Sequence, residues 1–569
     1  MDPLDGFWAP TSSWFRQRFG VPTPAQEAAF PAIASGEHAL IRAPTGSGKT
    51  LAAFLVGLDR LLRAPVSRPG VRLLYVSPLK ALATDVRLNL LEPLAGITSM
   101  AEVMGTPAQP VTVSLRTGDT DSRGRSAFLR TPGTVLVTTP ESLYLLLGAP
   151  RGREHLRSIQ TVIVDEVHAL APNKRGAHLL LSLERLVDLT GRDPVRVGLS
   201  ATARPLDAMA RFLGGGRPVT VVDRSAPRSI EVRIESPVPD LTRPAVPNLG
   251  VGGGGPFQRI GGRRRQPDPD VSGDALSHGV WPAIVPRVAS AIASCRTTIV
   301  FCNSRLTTER LTRRLNELAG DERIAAHHGS LSHERRMVVE RALKAGELPA
   351  VVATRSLELG IDIGSVDQVV MVESPGSVAR GLQRVGRAGH QVGGTSRALF
   401  LPRHRLDLLE MVAVSQGMAE GAIEATRVPS GCLDVLAQQI VASVAAEVTA
   451  SSVLFARARR AATWADLDRS TFDAVLDMLD GRVPTSGSIG LHPRVSWDRA
   501  TGSRARTAGR GPRRSDFGRD HSRSGHLSRP PRRGRPPSGR ARRGDDLRES
   551  GRGRRPAWRD GLAHRVDRP

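Results

Sequence analysis

The sequence has few cysteines and tyrosines and lacks a long hydrophobic run. Three cysteines in 569 residues form neither a metal-ligand pair nor a disulfide framework, which is typical of a protein from a reducing cytosol. No apolar stretch approaches the roughly 20 residues that a membrane-spanning helix needs. The N-terminal residues lack the basic and apolar regions of a secretory signal. We therefore expect a cytoplasmic protein without a membrane partner.

Lysine is also scarce, because nearly all of the 80 basic residues are arginines, and the formal net charge is +25. Residues 499–569 contain 22 arginines and seven acidic residues, so much of the excess lies in this stretch. A positive charge of this size favours a polyanionic partner, because contacts with phosphates release condensed counterions.

A glycine-rich segment, APTGSGKT at residues 43–50, follows an apolar run at residues 38–42 and precedes a helical pattern. Strand, glycine-rich turn and helix form the context of a phosphate-binding loop, in which backbone N–H groups close around phosphate oxygens. Lys49 would reach the outer phosphates of ATP, and Thr50 would bind Mg²⁺. A glycine-rich turn that only opens a helix is the alternative. The predicted ATP-binding residues here are Thr45, Gly46, Ser47, Gly48, Lys49 and Thr50.

Two acids, Asp165 and Glu166, follow a second apolar run at residues 161–164. Open α/β sheets bind ligands at the carboxyl ends of their strands. Asp165 would hold Mg²⁺, and Glu166 would polarise the water that attacks the γ-phosphate. An acidic cap for the next helix is the alternative. The phosphate loop in the same chain favours nucleoside triphosphate hydrolysis.

The order of these and other motifs resembles that of superfamily 2 helicases. The further motifs are FG (19–20), PTPAQ (22–26), SPLK (77–80), TPE (139–141), SAT (200–202), FCNSR (301–305), HGS (328–330), ATRSLELGID (353–362) and QRVGRAGH (383–390). Within the superfamily, DEVHA at 165–169, KRGAH at 174–178 and VGRAGH at 385–390 most resemble the large helicase-related (Lhr-type) bacterial enzymes. The resemblance covers about residues 1–500.

This resemblance implies an ATP- and Mg²⁺-dependent helicase that moves 3′ to 5′ along single-stranded DNA and opens DNA or RNA:DNA duplexes, with DNA repair as the family's expected role. Gln26 would read adenine, and Asp362 would belong to the ATP site. Arg387 takes the arginine-finger position, where a guanidinium stabilises charge on the γ-phosphate. The implied catalytic residues are Lys49, Asp165, Glu166, Gln383, Arg384 and Arg387.

The resemblance also implies a strand-binding set and a coupling set. Backbone-phosphate contacts carry no base information, so sequence-independent binding is expected. Ser200 and Thr202 would relay the state of the γ-phosphate to the nucleic-acid face, although an ordinary turn at a strand end is the alternative. The predicted strand-binding residues are Ser77, Lys80, Thr139, Arg305 and Thr354.

Short β-rich runs alternate with helical patterns in two groups of five, which predicts two parallel sheets flanked by helices. The runs are residues 39–41, 72–76, 134–138, 162–164 and 195–199, then 297–301, 323–326, 350–353, 368–372 and 397–401. We expect an α/β fold with two tandem RecA-like domains. The predicted segments are RecA-like domain 1 (1–225), a linker with a Gly/Arg-rich loop (226–280), RecA-like domain 2 (281–425), a partial winged-helix-like domain (426–500) and a disordered Arg-rich tail (501–569).

The tail contains almost no aliphatic or aromatic residues, so it buries too little apolar surface to offset the entropy of ordering. Two hypotheses account for it: a truncated or frameshifted Lhr-type protein, or a genuine arginine-rich tail that binds nucleic acid. Three alternative hypotheses remain for the function of the whole chain. The first is an active DNA-dependent ATPase and translocase, the second is a nucleic-acid-binding remnant without coupled unwinding, and the third is an ATPase that remodels RNA.

Overall fold

Two parallel β-sheets, one in each half of the chain, organise the structure. The computed structural model describes residues 2–44, 46–64, 70–224, 229–242, 279–358, 364–389, 394–482 and 493–497, and the backbone of 504–506. Within these residues both sheets are flanked by helices, and a group of smaller helices follows the second sheet. The predicted α/β class with two tandem RecA-like domains is therefore confirmed.

The first sheet has seven strands in the order β3-β4-β2-β5-β6-β1-β7, and all neighbours are parallel. Its central strands are buried along their whole length, because helices cover both faces of a parallel sheet. The strands are β1 (His38–Arg42), β2 (Leu73–Val76), β3 (Val113–Arg116), β4 (Val135–Thr138), β5 (Thr161–Val164), β6 (Val195–Ser200) and β7 (Val219–Asp223). The helices are α1 (Ala9–Phe19), α2 (Pro24–Ala34), α3 (Lys49–Arg63), α4 (Lys80–Val103), α5 (Ser122–Arg130), α6 (Pro140–Gly148), α7 (Pro150–Leu156), α8 (Val167–Leu170), α9 (Lys174–Thr190) and α10 (Leu206–Gly214).

The second sheet has six parallel strands in the order β10-β11-β9-β12-β13-β8. Separate apolar clusters fill its two faces. The strands are β8 (Ile230–Ile234), β9 (Thr298–Phe301), β10 (Ile324–His327), β11 (Ala350–Ala353), β12 (Gln368–Val372) and β13 (Ser396–Leu401). The helices are α11 (Trp281–Ala293), α12 (Arg305–Ala319), α13 (His333–Lys344), α14 (Val378–Val385) and α15 (Arg405–Glu420), with a 3₁₀ turn at Arg355–Leu357.

The third part of the chain packs directly on the first sheet's helices. Leu436, Ile440 and Leu454 belong to the same buried cluster as Leu180 and Leu183 of α9, so no solvent layer separates the two parts. The cluster therefore joins this domain to domain 1. The elements here are α16 (Leu433–Ala446), α17 (Ser451–Arg460), a 3₁₀ turn at Ala462–Trp464, α18 (Arg469–Leu479) and the antiparallel pair β14 (Val495–Trp497) and β15 (Arg504–Arg506).

A buried carboxylate reinforces this contact. Glu184 of α9 is fully buried, and its oxygens accept hydrogen bonds from Arg196 at 2.8 Å, Arg217 at 2.9 Å and Arg460 at 2.8 Å. Burial alone would raise the pKa of the Glu184 carboxyl, but the three guanidinium groups outweigh burial and lower the pKa to about 2. Because Arg460 ends α17, the carboxylate ties the third domain to domain 1.

All ten predicted strand runs are strands in the structure, whereas β3, β7 and β8 were not predicted. Each of these three lies at the edge of its sheet, where half-exposed positions interrupt the apolar run that marks a central strand. Two predicted boundaries also differ. Strand β8 lies within the predicted linker at 226–280, and β15 lies within the predicted tail at 501–569 and pairs with β14. Residues 507–569 lie outside the described residues.

Candidate functional site

The glycine-rich segment forms the turn between β1 and α3. Gly46 and Gly48 have φ angles of +82° and +80°, the left-handed region that other residues rarely adopt. Lys49 is the first residue of α3 and is buried, whereas Thr50 is half-buried. Backbone N–H groups and the helix dipole favour anions at a helix N-terminus, so this turn is a candidate phosphate-binding site. The predicted residue Thr45 lies outside the described residues.

Helix α2 holds the glycine-rich turn from one side. Gln26 closes a capping box with Thr23, in which Gln26 Oε1 accepts a hydrogen bond from the Thr23 N–H at 2.9 Å. Gln26 Nε2 donates to the carbonyl of Gly48 at 3.4 Å, and Thr23 Oγ1 donates to the carbonyl of Ser47 at 2.7 Å. A Cβ on Gly48 would lie 2.5 Å from Gln26 Nε2, so a larger residue here would displace the Gln26 side chain. The predicted adenine-reading residue therefore touches the glycine-rich turn.

Asp165 follows β5, next to β2 in the sheet, and is buried. Its Oδ1 accepts a hydrogen bond from the Glu166 N–H at 2.8 Å, and its Oδ2 accepts one from the Tyr75 hydroxyl. Burial and the charge of Glu166 raise the pKa of Asp165 to about 6, while the Tyr75 hydrogen bond and Lys49 oppose the shift. Two accepted bonds leave about two further lone-pair sites on the carboxylate. With the Thr50 hydroxyl, these hard oxygens fit the ligand preference of Mg²⁺.

Glu166 has an unusual backbone conformation and an unsatisfied side chain. Its φ of +46° places a non-glycine residue in the left-handed region, which costs free energy and points to a functional constraint. The side chain is buried, and its Oε2 has no hydrogen-bond partner among the described residues, although His168 Nδ1 lies 3.4 Å away. A buried carboxylate oxygen without a donor is available to a water molecule.

His168 connects the acidic segment to the second domain. Gln383 of α14 donates from Nε2 to His168 Nε2 at 2.7 Å and to Thr202 Oγ1 at 3.0 Å. His168 Nε2 must therefore be unprotonated, and Nδ1 carries the proton toward Ser200 Oγ at 2.9 Å. Burial and the charge of Lys49 lower the pKa of His168 to about 4, which keeps the ring neutral at pH 7. Two predicted residues, Gln383 and Ser200, thus bond His168, and Gln383 also bonds the third, Thr202.

The two predicted catalytic arginines are buried within domain 2. Arg384 donates to Glu358 Oε2 at 3.0 Å and to Asn303 Oδ1 at 3.2 Å, and its guanidinium lies over the Phe301 ring. Arg387 donates from Nη2 to the carbonyl of Glu358 at 3.2 Å. Both guanidinium groups therefore make these contacts inside their own domain. Asp362 lies outside the described residues.

The predicted strand-binding residues lie at the carboxyl ends of adjacent strands in both sheets. Ser77 and Thr139 follow β2 and β4 and are buried, whereas Lys80 is exposed and pairs with Asp119 at 2.6 Å. In domain 2, exposed Arg305 begins α12 after β9 and donates to Ser330 at 2.5 Å. Half-buried Thr354 follows β11, the neighbour of β9. Strand order therefore groups these residues along the carboxyl-terminal side of each sheet, where the strands end.

Three site residues were not assigned roles from the sequence: His168, Tyr75 and Glu358. His168 stands in the DEVH motif, and this position was the available signal. Glu358 likewise lies within the ATRSLELGID motif at 353–362, whereas Tyr75 sits in a run whose apolar pattern indicates only a buried strand. No helix in the described part of the chain is long and apolar enough to cross a membrane. Over the same residues, no three His, Cys, Asp or Glu side chains group as a metal site.

Three family models match the chain in order. The DEAD/DEAH box helicase model matches residues 23–209, and the helicase conserved C-terminal domain matches 284–391. The winged helix domain of large helicase-related protein matches 416–515. The last match extends beyond about residue 500, where the sequence analysis placed the end of the family resemblance, and it includes β15.

Relatives and a solved structure agree with these models. The Lhr helicase/probable uracil glycosylase of Mycolicibacterium smegmatis is 46% identical over 537 residues, which cover 88% of this chain and 33% of the relative. The Lhr helicase/uracil glycosylase of Escherichia coli is 45% identical over 536 residues, covering 88% and 34%. This chain thus spans about a third of the length of these curated relatives.

The structure of Mycobacterium smegmatis helicase Lhr bound to ssDNA and AMP-PNP matches with a TM-score of 0.78 and 47% identity, covering 89% of this chain and 61% of that one. Two RecA-like domains, a winged-helix domain and the ordered helicase motifs all agree with this match. The chain therefore belongs to the large helicase-related (Lhr) family of superfamily 2 helicases.

Proposed function

We propose that this chain is a nucleic-acid-dependent ATPase that acts in DNA repair. It would use ATP hydrolysis to move 3′ to 5′ along single-stranded DNA and to open DNA or RNA:DNA duplexes. The observation that carries the proposal is the contact of Gln383 with His168 and Thr202, since it joins the acidic segment of domain 1 to domain 2. Polarity, duplex preference and repair rest on the family resemblance.

The turn at residues 46–50 would bind the phosphates of ATP. Backbone N–H groups at the start of α3 would donate to phosphate oxygens, and Lys49 would neutralise the outer phosphates. Thr50 and Asp165 would hold Mg²⁺, which supplies further positive charge to the phosphate oxygens when bound. Gln26 would turn from its contact with Gly48 toward the adenine edge.

Glu166 would hold the attacking water through its unpaired Oε2 and accept a proton from it. As the water oxygen bonds to the γ-phosphorus, the bond from that phosphorus to the β–γ bridging oxygen breaks. ADP and inorganic phosphate result. Arg387 would reach the γ-phosphate once the domains close, and its release from the Glu358 carbonyl would accompany that closure. Arg384, held by Glu358 and Asn303, would support the position of Arg387.

Coupling would follow from the hydrogen bonds around His168. Oε2 of Glu166 lies 3.4 Å from His168 Nδ1, and the other ring nitrogen accepts from Gln383. A change at the γ-phosphate that moves Glu166 would therefore disturb the link to domain 2. The distance between the DNA-contacting residues of the two domains would then change during each cycle of ATP hydrolysis. Translocation along the DNA requires such a change.

Single-stranded DNA is the favoured partner. The similar Mycobacterium smegmatis structure is described as bound to ssDNA, and Lys80 and Arg305 lie exposed at the strand ends of the two sheets. Phosphate contacts of this kind are independent of sequence and weaken as salt rises.

The test is ATP hydrolysis by the full chain with and without single-stranded DNA or RNA, followed by strand displacement on duplexes with a 3′ or a 5′ tail. We expect stimulation by DNA and displacement from 3′ tails only. Stronger stimulation by RNA would favour the RNA-remodelling function instead. Salt-dependent binding without stimulated hydrolysis would leave only a binding remnant, and displacement from 5′ tails would contradict the polarity.

Gln383→Ala should uncouple the two domains. Loss of both hydrogen bonds to domain 1 lowers the free energy that couples the two domains. Because a typical coupling free energy corresponds to about a 10-fold effect, we expect about a 10-fold loss of DNA-stimulated hydrolysis. Hydrolysis without DNA should change less, and nucleotide binding should persist. Steady-state ATPase titrations with DNA measure this effect. The control is Gln416→Ala, because Gln416 is exposed on α15 of the same domain and its side chain bonds the neighbouring Glu420 on the same helix. Equal stimulation of both variants would contradict the coupling role.

A further inference from the structure

Tyr75 is a buried tyrosine within the candidate ATP site. The chain has two tyrosines, and Tyr75 lies on β2 with no exposed surface. Its ring stacks on Phe54 of α3 with centroids 5.0 Å apart and an interplanar angle of 26°. Its hydroxyl donates to Asp165 Oδ2. Ring and hydroxyl therefore serve two different contacts, one apolar and one polar.

Strand register explains how the hydroxyl reaches this carboxylate. Tyr75 lies opposite Ile163 in the parallel pair of β2 and β5, and Asp165 follows Ile163 by two residues. Side chains two residues apart project from the same face, and a long aromatic side chain spans the diagonal to the next position on the neighbouring strand. A short or aliphatic residue at position 75 has no atom to place there.

The Asp165 carboxylate is held at both oxygens. The Glu166 N–H binds Oδ1 at 2.8 Å, and the Tyr75 hydroxyl is the side-chain donor to Oδ2 among the described residues. Each carboxylate oxygen keeps further acceptor capacity after one hydrogen bond. The carboxylate is therefore oriented without being saturated.

We propose that Tyr75 is a positioning residue that holds the Asp165 carboxylate in the orientation required to bind the Mg²⁺ of Mg–ATP, an inference that rests on the function proposed above. Side chains that hydrogen-bond a metal-ligating carboxylate typically set metal affinity, and their loss costs 10–100-fold. Without the hydroxyl, the carboxylate is fixed at one oxygen only and must be reordered when the metal binds.

The test compares Tyr75→Phe with the matched control Tyr144→Phe. Phenylalanine at position 75 keeps the ring and its stacking on Phe54 and removes only the hydroxyl. Tyr144 lies on α6, where it contacts His178 and Arg185. Mn²⁺ binding in the presence of ADP, followed by electron paramagnetic resonance, reports metal affinity without turnover. Fluorescent ADP binding in EDTA reports the nucleotide alone, and Mg²⁺ titration of ATP hydrolysis gives the half-saturating metal concentration.

For Tyr75→Phe we expect Mn²⁺ affinity to fall 10–100-fold and the half-saturating Mg²⁺ concentration to rise correspondingly. ADP binding in EDTA and the melting temperature should match those of Tyr144→Phe. Unchanged metal affinity would overturn the inference, and so would parallel losses of metal-free ADP binding and melting temperature, since they mark a purely structural role. If the wild-type chain binds ADP but Mn²⁺ adds nothing, the proposed function fails as well. If the wild type and Tyr75→Phe bind Mn²⁺ equally well in the presence of ADP, the inference about Tyr75 fails and the proposed function stands.

Discussion

Glu166→Gln is expected to lower DNA-stimulated ATP hydrolysis by about 10²–10⁴-fold, the range that a general base contributes. The glutamine amide keeps the size of the side chain but does not accept a proton from water. Because Glu166 contributes no atom to the turn at residues 46–50, nucleotide binding should be retained. Single-turnover hydrolysis of radiolabelled ATP, with nucleotide affinity measured in parallel, tests this expectation.

The matched control is Glu102→Gln, which makes the same change at an exposed position near the end of α4. It should hydrolyse ATP at the wild-type rate. Near-normal hydrolysis by Glu166→Gln would mean that another group activates the water. Loss of nucleotide binding together with hydrolysis would instead show that the left-handed backbone at Glu166 requires the native side chain. Either result would remove Glu166 from the role proposed for it.

The second large effect is on stability. Glu184→Gln leaves Arg196, Arg217 and Arg460 around a neutral side chain, and removal of one partner from a buried ion pair typically costs 3–5 kcal/mol. For a domain of 150–250 residues, about 3 kcal/mol corresponds to a melting temperature lower by about 6–12 °C. Differential scanning calorimetry of the variant, with Glu102→Gln as the surface control, measures the shift. A melting temperature equal to that of the control would contradict the role of this carboxylate.

The same carboxylate predicts a pH dependence. Its pKa is lowered from 4.5 to about 2, so its stabilising effect is fully present above pH 4.5 and is lost as pH falls toward 2. The stability difference between wild type and Glu184→Gln should therefore be largest near neutral pH and shrink in acid. Urea unfolding of both proteins at several pH values measures it, and a constant difference would show that the ion pairs do not cause the effect.

Local parts of the site were predictable because their geometry depends on residues close in sequence. The glycines at 46 and 48 and the acids at 165 and 166 each follow an apolar run, so their place at the carboxyl end of a buried strand follows from the pattern. Central strands were predictable for the same reason, since both of their faces are covered. Edge strands such as β8 were not, because alternating exposure resembles a polar linker.

Contacts between distant segments were not predictable. Gln383 and His168 are 215 residues apart, and their hydrogen bond depends on how the domains that contain the two sheets face one another. Arg384 was grouped with the catalytic residues because of its motif, but its contacts with Glu358 and Asn303 depend on how α14 packs against the segments that follow the 3₁₀ turn at Arg355–Leu357 and strand β9. The functions assigned to these residues remain predictions.

The apolar cluster that α9 shares with α16 and α17 limits where the chain can be shortened. The helicase motifs end at residue 390, which suggests that a compact soluble enzyme needs only the two RecA-like domains. A chain cut at residue 425 would instead uncover the face of α9 that carries Leu181, which lines the same small cavity as Leu436, Ile440 and Leu454 of the third domain, next to the buried carboxylate of Glu184. Exposed apolar patches of this kind promote aggregation. The smallest well-behaved version of this chain must therefore retain its winged-helix domain, because that domain covers the apolar face of α9.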